Sequence, residues 1–163
     1  MGKKFTDFTQ HKKIPKFIAV EGPIGVGKTT LTNLLAESFG YDTFLEKPSE
    51  NPFLADFYEN PSQAALGAQL FFLFQRVKQI QEIKQDDIFT PTRVSDFLLD
   101  KDQLFAKATL NDQELKLYQQ IYDYLSLDLP TPDLVIYLQA DTKTLHNRVI
   151  HRGIQMEKKV SFE

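Results

Sequence analysis

Positions 22 to 29 read Gly22-Pro23-Ile24-Gly25-Val26-Gly27-Lys28-Thr29, which fits G-x-x-x-x-G-K-[ST]. Every residue type in that run has a task in holding a triphosphate. The glycines let successive backbone N–H groups turn inward around phosphate oxygens, at the positive end of the following helix dipole. Lys28 brings an ammonium to the β and γ phosphates, the Thr29 hydroxyl is a ligand for magnesium, and Thr30 completes the phosphate-facing turn. Kinases, GTPases and ATPases share such a loop, so it names the donor and leaves the acceptor open.

Further chemistry is carried by carboxylates and arginines outside the loop. Glu46 follows a second apolar run, where a carboxylate can take the proton of an acceptor hydroxyl. Asp96 follows a third run, placed like a Walker B carboxylate to serve magnesium directly or through water. Arg148 and Arg152 stand four apart on one helix face, and guanidinium forks suit the charge on transferring phosphoryl oxygens. On residue types alone, Glu46 also reads as a solvated strand-end carboxylate, Tyr58 as an interfacial aromatic and Gln69 as a polar helix-face residue. The two arginines also read as solvated helix-end residues.

These groups need a frame. Lys16 to Val20 is a short apolar run ending in Gly and Pro, which suits a buried strand. From Lys28, Leu31, Leu34, Leu35 and Phe39 recur at helical spacing until Gly40, a natural stop. A second strand is expected at Thr43 to Leu45, then a polar, proline-bearing stretch to Pro52. Asn60 and Pro61 open a long helix over 61–84 with apolar positions Leu70, Leu73, Phe74, Val77, Ile80 and Ile83. Its Leu70, Phe71, Phe74 and Val77 stripe is read as core, and Gln69, Phe72 and Arg76 share another face. Arg93 to Ser95 closes a third strand, and Asn111 with Glu114 forms a capping box for a helix lasting to about Leu125. Asp133 to Leu138 is apolar on both faces, as central parallel strands are, and Asp141 or Thr142 caps a last helix carrying Leu145, Val149 and Ile150.

Strands alternating with helices imply right-handed crossovers and an α/β fold of the P-loop NTPase and kinase type. Its single, mainly parallel sheet has about four strands flanked by helices. One domain is expected over residues 16–163, after a frayed basic tail at 1–15. The 163 residues carry a net charge of -3 and no cysteine, which removes disulfides, thiolate zinc sites and cysteine nucleophiles. Collagen-like, disordered and membrane classes do not fit the composition. Lys3, Lys4, Lys12, Lys13 and Lys16 precede no apolar segment of a secretory signal, and nucleic acid is not an expected partner. A cytoplasmic setting is the default.

From the glycine loop onward the chain resembles the deoxynucleoside kinase family, in its bacterial deoxyadenosine and deoxyguanosine kinase branch. The resemblance rests on Ile18 to Thr29, Glu46 with Asn51-Pro52-Phe53-Leu54, Asp56-Phe57-Tyr58, Gln69 to Arg76, and Arg148 to Glu157. It implies transfer of the ATP γ-phosphoryl group to the 5′-hydroxyl of a deoxynucleoside, a purine by branch, with Glu46 as general base. It also implies that Gln69 pairs with the base edge and Tyr58 meets the sugar 3′-hydroxyl; Phe72 and Arg76, three and seven residues after Gln69 on its helix face, are read as lining the same site. On the same resemblance, Arg148 and Arg152 belong to an arginine lid over the phosphates, and a homodimer pairs through the 61–84 helix.

The chain departs from the family pattern in several places. Where the family carries an acidic residue, Arg and Ser after strand three, the aligned positions read Ser95-Asp96-Phe97, without the arginine. Arg93 and Arg76 are the candidate replacements. Lys47 separates Glu46 from Pro48, and Ile154 stands where a further lid arginine is common. The family continues through a further helix and a fifth strand, which a chain ending at Glu163 is expected to lack. Two other readings stay open: a nucleotide-binding module without turnover, and a nucleoside monophosphate kinase. The latter needs cations for the acceptor phosphate, and residues 51–75 offer none before Arg76.

Overall fold

Ile18, Ala19 and Val20 offer no polar side chain to water, and all are buried in the first strand of a four-stranded parallel sheet. The computed structural model describes residues 14–84, 91–126 and 129–153; the basic tail before residue 14, Ile154 and the segment to Glu163 lie outside the described residues. In chain order the elements are β1 (Phe17–Glu21), α1 (Lys28–Phe39), β2 (Asp42–Phe44), α2 (Leu54–Glu59), α3 (Pro61–Lys84), β3 (Arg93–Ser95), α4 (Lys101–Thr109), α5 (Asp112–Ser126), β4 (Leu134–Tyr137) and α6 (Thr142–Arg152).

The sheet order is β2-β3-β1-β4, so β1 sits between two strands and its C-terminal end opens at the centre of the sheet. That is where the glycine loop begins, and where ligands of open α/β sheets bind. On one face, Ile18, Val20 and Val94 pack with Leu31 and Leu35 of α1. The other face carries two linked clusters. Phe17, Phe44 and Phe97 meet Ile80 of α3, and Leu73 and Val77 of α3 meet Ala106 of α4 and Tyr118 and Tyr122 of α5. Burying Leu73 completely contributes on the order of 2 kcal/mol to holding α3 against its neighbours.

The helix ends follow the sequence signals. Gly40 ends α1 in a left-handed conformation, with φ of 68° and its N–H donating to Ala36 O. The Asn111 side chain accepts from the Glu114 N–H at 3.0 Å, and the Glu114 carboxylate accepts from the Asn111 N–H at 3.1 Å, completing the capping box. Asp141, rather than Thr142, caps α6 by accepting from the Thr144 N–H at 2.8 Å.

Two expectations need correction. The strand around Val135 is not central: among the described residues β4 pairs only with β1, and Leu134 and Tyr137 are 45% and 61% exposed. An apolar run alone does not say whether its strand lies inside a sheet or beside its last described neighbour. Phe74 is not core but 52% exposed, because Leu73, Arg76, Val77 and Ile80 take the inward face of α3 and Phe74 is turned about 100° from Leu73. Sequence reading also passed over α2 and α4. No helix among the described residues is long and apolar enough to cross a membrane.

Candidate active site

The glycine loop is shaped by its neighbours as much as by its own residues. Gly22 has φ of 150°, and a Cβ there would lie 2.5 Å from the Leu138 carbonyl oxygen just past β4. Gly25, with φ of 79°, would drive a Cβ to 2.9 Å from the Leu145 carbonyl and 3.0 Å from Val149 in α6. Only glycine fits both approaches. Pro23, Ile24 and Gly27 are half-buried while Val26 is buried beneath them, and Arg148 of α6 donates to the Val26 carbonyl at 3.1 Å. The arginine expected over the phosphates is thus docked on the loop itself.

Lys28 Nζ folds back onto the loop, donating to Gly22 O at 2.8 Å and Pro23 O at 3.3 Å. Burial and then the nearby Lys101 ammonium push its pKa below the ordinary lysine value. Thr29 donates its hydroxyl proton to Asp96 Oδ2 at 2.5 Å, while Asp96 Oδ1 accepts from the Glu46 N–H at 2.8 Å. Thr30 sits exposed in the same first turn of α1. One carboxylate therefore ties the phosphate loop to the turn that carries Glu46.

Burial pushes Asp96 above the ordinary carboxylate value, against the opposing pull of its hydrogen bonds from Thr29 and Glu46. The folded state holds this proton more tightly than the unfolded chain. Asp96 therefore costs nothing below its unfolded value, and its ionisation removes stability as pH rises through the folded value. We expect Asp96→Asn to raise the melting temperature of the ligand-free protein at neutral pH by a few degrees, on the order of 1 kcal/mol. That gain shrinks toward pH 4. Thermal unfolding across that range checks it; a variant less stable at pH 7 than at pH 4, relative to the parent, overturns it.

On the other side of that turn, Glu46 Oε1 accepts from Arg76 Nη2, and Arg76 Nη1 pairs with Asp102, a residue only 1% exposed. The guanidinium also lies 5.2 Å from the Phe72 ring centroid and 5.5 Å from that of Phe97. Gln79 donates to the Leu45 carbonyl at 3.1 Å, and the Gln75 amide oxygen accepts from the Lys47 N–H at 3.4 Å. Three residues of α3 thus hold the Glu46 turn, with Lys47 in it. Gln69 is buried on the same helix and donates to Thr109 Oγ1 at 3.4 Å.

Lys28, Thr29, Asp96, Glu46 and Arg76 are brought together in one connected line, and Arg148 joins it at the loop. Phe72 lies against Arg76. Tyr58 is half-buried on α2, which packs along α3, with its ring edge-on to Phe57. Arg152 is exposed one turn beyond Arg148, where both line a shallow recess with Asn147 and His151. Arg93 starts β3 at the opposite end of the sheet, 3.5 Å from Asp42, so it does not stand in for the missing arginine.

Sequence reasoning missed Asp102, Glu21 and Lys101. Glu21 ends β1 almost fully buried and accepts from its neighbour Gly22 N–H at 2.6 Å and from Lys101 Nζ at 2.6 Å. Its own signal was present, since a carboxylate ending a buried strand must find a cation. No spacing pointed to the lysine 80 residues away.

Residues 18–163 match the family Deoxynucleoside kinase. The chain is 39% identical over 145 residues to a deoxyguanosine kinase of Bacillus subtilis strain 168, covering 88% of this chain and 70% of that protein. It is 34% identical over 160 residues to a deoxyadenosine/deoxycytidine kinase of the same strain, covering 91% and 71% respectively. A solved deoxyadenosine kinase from M. mycoides with bound dATP superimposes with a TM-score of 0.77 at 27% identity, over 90% of this chain and 76% of that one.

Proposed function

The chain belongs to the deoxynucleoside kinase family, and from that premise we propose how its own residues transfer the ATP γ-phosphoryl group to a deoxynucleoside 5′-hydroxyl. The observation that carries the reading is the Asp96 carboxylate, which accepts from Thr29 in the phosphate loop and from the Glu46 backbone beside the acceptor. In this reading, that carboxylate keeps the donor and acceptor ends of the reaction in one register. Phosphoryl transfer asks mainly for such positioning, for charge stabilisation and for one proton acceptor.

In this reading the loop N–H groups and Lys28 hold the triphosphate, and Arg148 and Arg152 stabilise charge on the transferring oxygens. Glu46, oriented by Arg76, takes the 5′-hydroxyl proton. Gln69 reads the base edge with an amide donor and acceptor, Phe72 stacks beside it, and Tyr58 meets the 3′-hydroxyl. A purine is the favoured base, in keeping with the relatives' deoxyguanosine and deoxyadenosine kinase names. A nucleotide-binding module and a monophosphate kinase are both less well supported by those relatives.

Magnesium fits the Thr29 and Asp96 oxygens, a hydroxyl and a carboxylate 2.5 Å apart, because it binds through one or two such ligands plus substrate phosphates. When bound it would neutralise charge on the phosphates. A cytoplasmic setting, where ATP and free deoxynucleosides are both supplied, belongs to the same reading. Incubation with magnesium-ATP and each of the four deoxynucleosides, followed by measurement of 5′-monophosphates, tests it; no product from any of them sinks it. A homodimer through α3 extends the reading, since Phe74 leaves an aromatic side chain exposed on that helix. Light scattering should return twice the chain mass, and a monomer mass at micromolar concentration overturns the pairing.

A further inference from the structure

We infer that Lys101 is a second ammonium of the phosphate site and supplies the cation that Ser95-Asp96-Phe97 lack. The inference rests on the kinase reading above. Lys101 Nζ lies 2.6 Å from Glu21 Oε1 and 3.5 Å from the Gly22 carbonyl oxygen, the same oxygen that Lys28 Nζ contacts at 2.8 Å. Two ammonium groups therefore converge on the first residue of the phosphate loop. One arrives from the loop's own helix, the other from the first turn of α4.

The placement is costly without a ligand. A cation in the first turn of a helix opposes the helix dipole, and it also sits close enough to Lys28 to lower that residue's pKa. Glu21 offsets part of this, and the Phe105 ring, 5.3 Å from Nζ, flanks the ammonium within α4. An ammonium has three donors. Glu21 takes one and the distant Gly22 carbonyl a weak second, while the side chain keeps 27% of its surface exposed. A phosphoryl group carrying charge on three oxygens satisfies both ammonium groups and relieves their repulsion.

No other described cation fills this place. Phe97 is buried against the Arg76 guanidinium, Arg76 is committed to Glu46 and Asp102, and Arg93 lies at the far end of its strand beside Asp42. A buried carboxylate at the threshold of the loop, paired with a lysine 80 residues away, thus keeps a positive charge where the strand-three motif leaves none.

Lys101→Met should lower kcat by about 100-fold, the scale for one electrostatic contact to a transferring group, with KM for the deoxynucleoside little changed. Lys101→Arg should recover most of the rate. Calorimetry with magnesium-ATP and magnesium-ADP should show that Lys101→Met weakens ATP about tenfold more than ADP. If Lys101 were only a counter-ion for Glu21, neutralising both in Glu21→Gln/Lys101→Met would restore turnover and the ATP preference, and that result overturns the proposal. If the parent protein transfers nothing, the kinase reading fails on its own, and an unchanged ATP-to-ADP ratio in Lys101→Met would still overturn the role of Lys101.

Discussion

Glu46→Gln is expected to lower kcat by about 10²- to 10⁴-fold, the range that one positioned general base supplies. The barrier rises by about 3–5 kcal/mol. Glutamine keeps the volume and an acceptor oxygen for Arg76, so the turn between Leu45 and Lys47 stays anchored to Gln75 and Gln79. Thr29 and Asp96 still meet, because Asp96 accepts from the backbone N–H at position 46, not from the side chain. ATP affinity, measured by calorimetry, should therefore stay within about twofold of the parent. Glu46→Asp keeps the charge but withdraws the carboxylate, and a misplacement of about 1 Å already costs on the order of 100-fold. Retention of full turnover by Glu46→Gln would show that proton transfer does not pass through this residue.

Arg76→Met should destabilise the fold by about 3–5 kcal/mol, the cost of leaving a buried charge without its partner. That is a large part of the 5–15 kcal/mol that typically separates folded from unfolded chains. Asp102 is 1% exposed, and its second oxygen is buried without a hydrogen-bond partner among the described residues, so Arg76 is its main compensation. Tyr118 is also buried there, its hydroxyl without a hydrogen-bond partner among the described residues, and burial holds that hydroxyl far above the usual phenol range. Urea unfolding should show the midpoint falling in Arg76→Met and recovering in part when Asp102→Asn is added. Turnover should fall in both, since Glu46 loses its guanidinium. A loss of stability that Asp102→Asn does not relieve would place the effect in Phe72 and Phe97 packing instead.

The contrast between what was legible and what was not follows the range of the interactions. The start of α3 at Pro61 could be read from the sequence because prolines, caps and apolar spacing act over a few residues, whereas Pro91 left open where the strand closing at Ser95 begins. The phosphate loop was legible for the same reason: all its chemistry lies within eight positions. α4 was missed because its largest apolar residues, Leu104 and Phe105, face outward and only Ala106 is buried among its apolar side chains, which breaks the helical stripe. The Arg76, Asp102 and Glu46 cluster joins three distant segments, and no spacing rule reports that. Likewise, Leu134 to Tyr137 is as apolar as Phe17 to Val20, yet among the described residues β1 lies inside the sheet and β4 at its edge, a matter of strand order alone.

The dependence of the phosphate loop on β4 and α6 also sets when it can exist during synthesis. Gly22 is walled by Leu138, Gly25 by Leu145 and Val149, and Val26 is bonded to Arg148. The strand that leads into the loop finds its Asp133 partner only 116 residues after Phe17. At 5–20 residues per second, the ribosome takes on the order of ten seconds to supply that wall. Parallel pairing over such a separation is also slow to close. A nascent chain thus carries the complete Gly22 to Thr29 motif long before it has a nucleotide site.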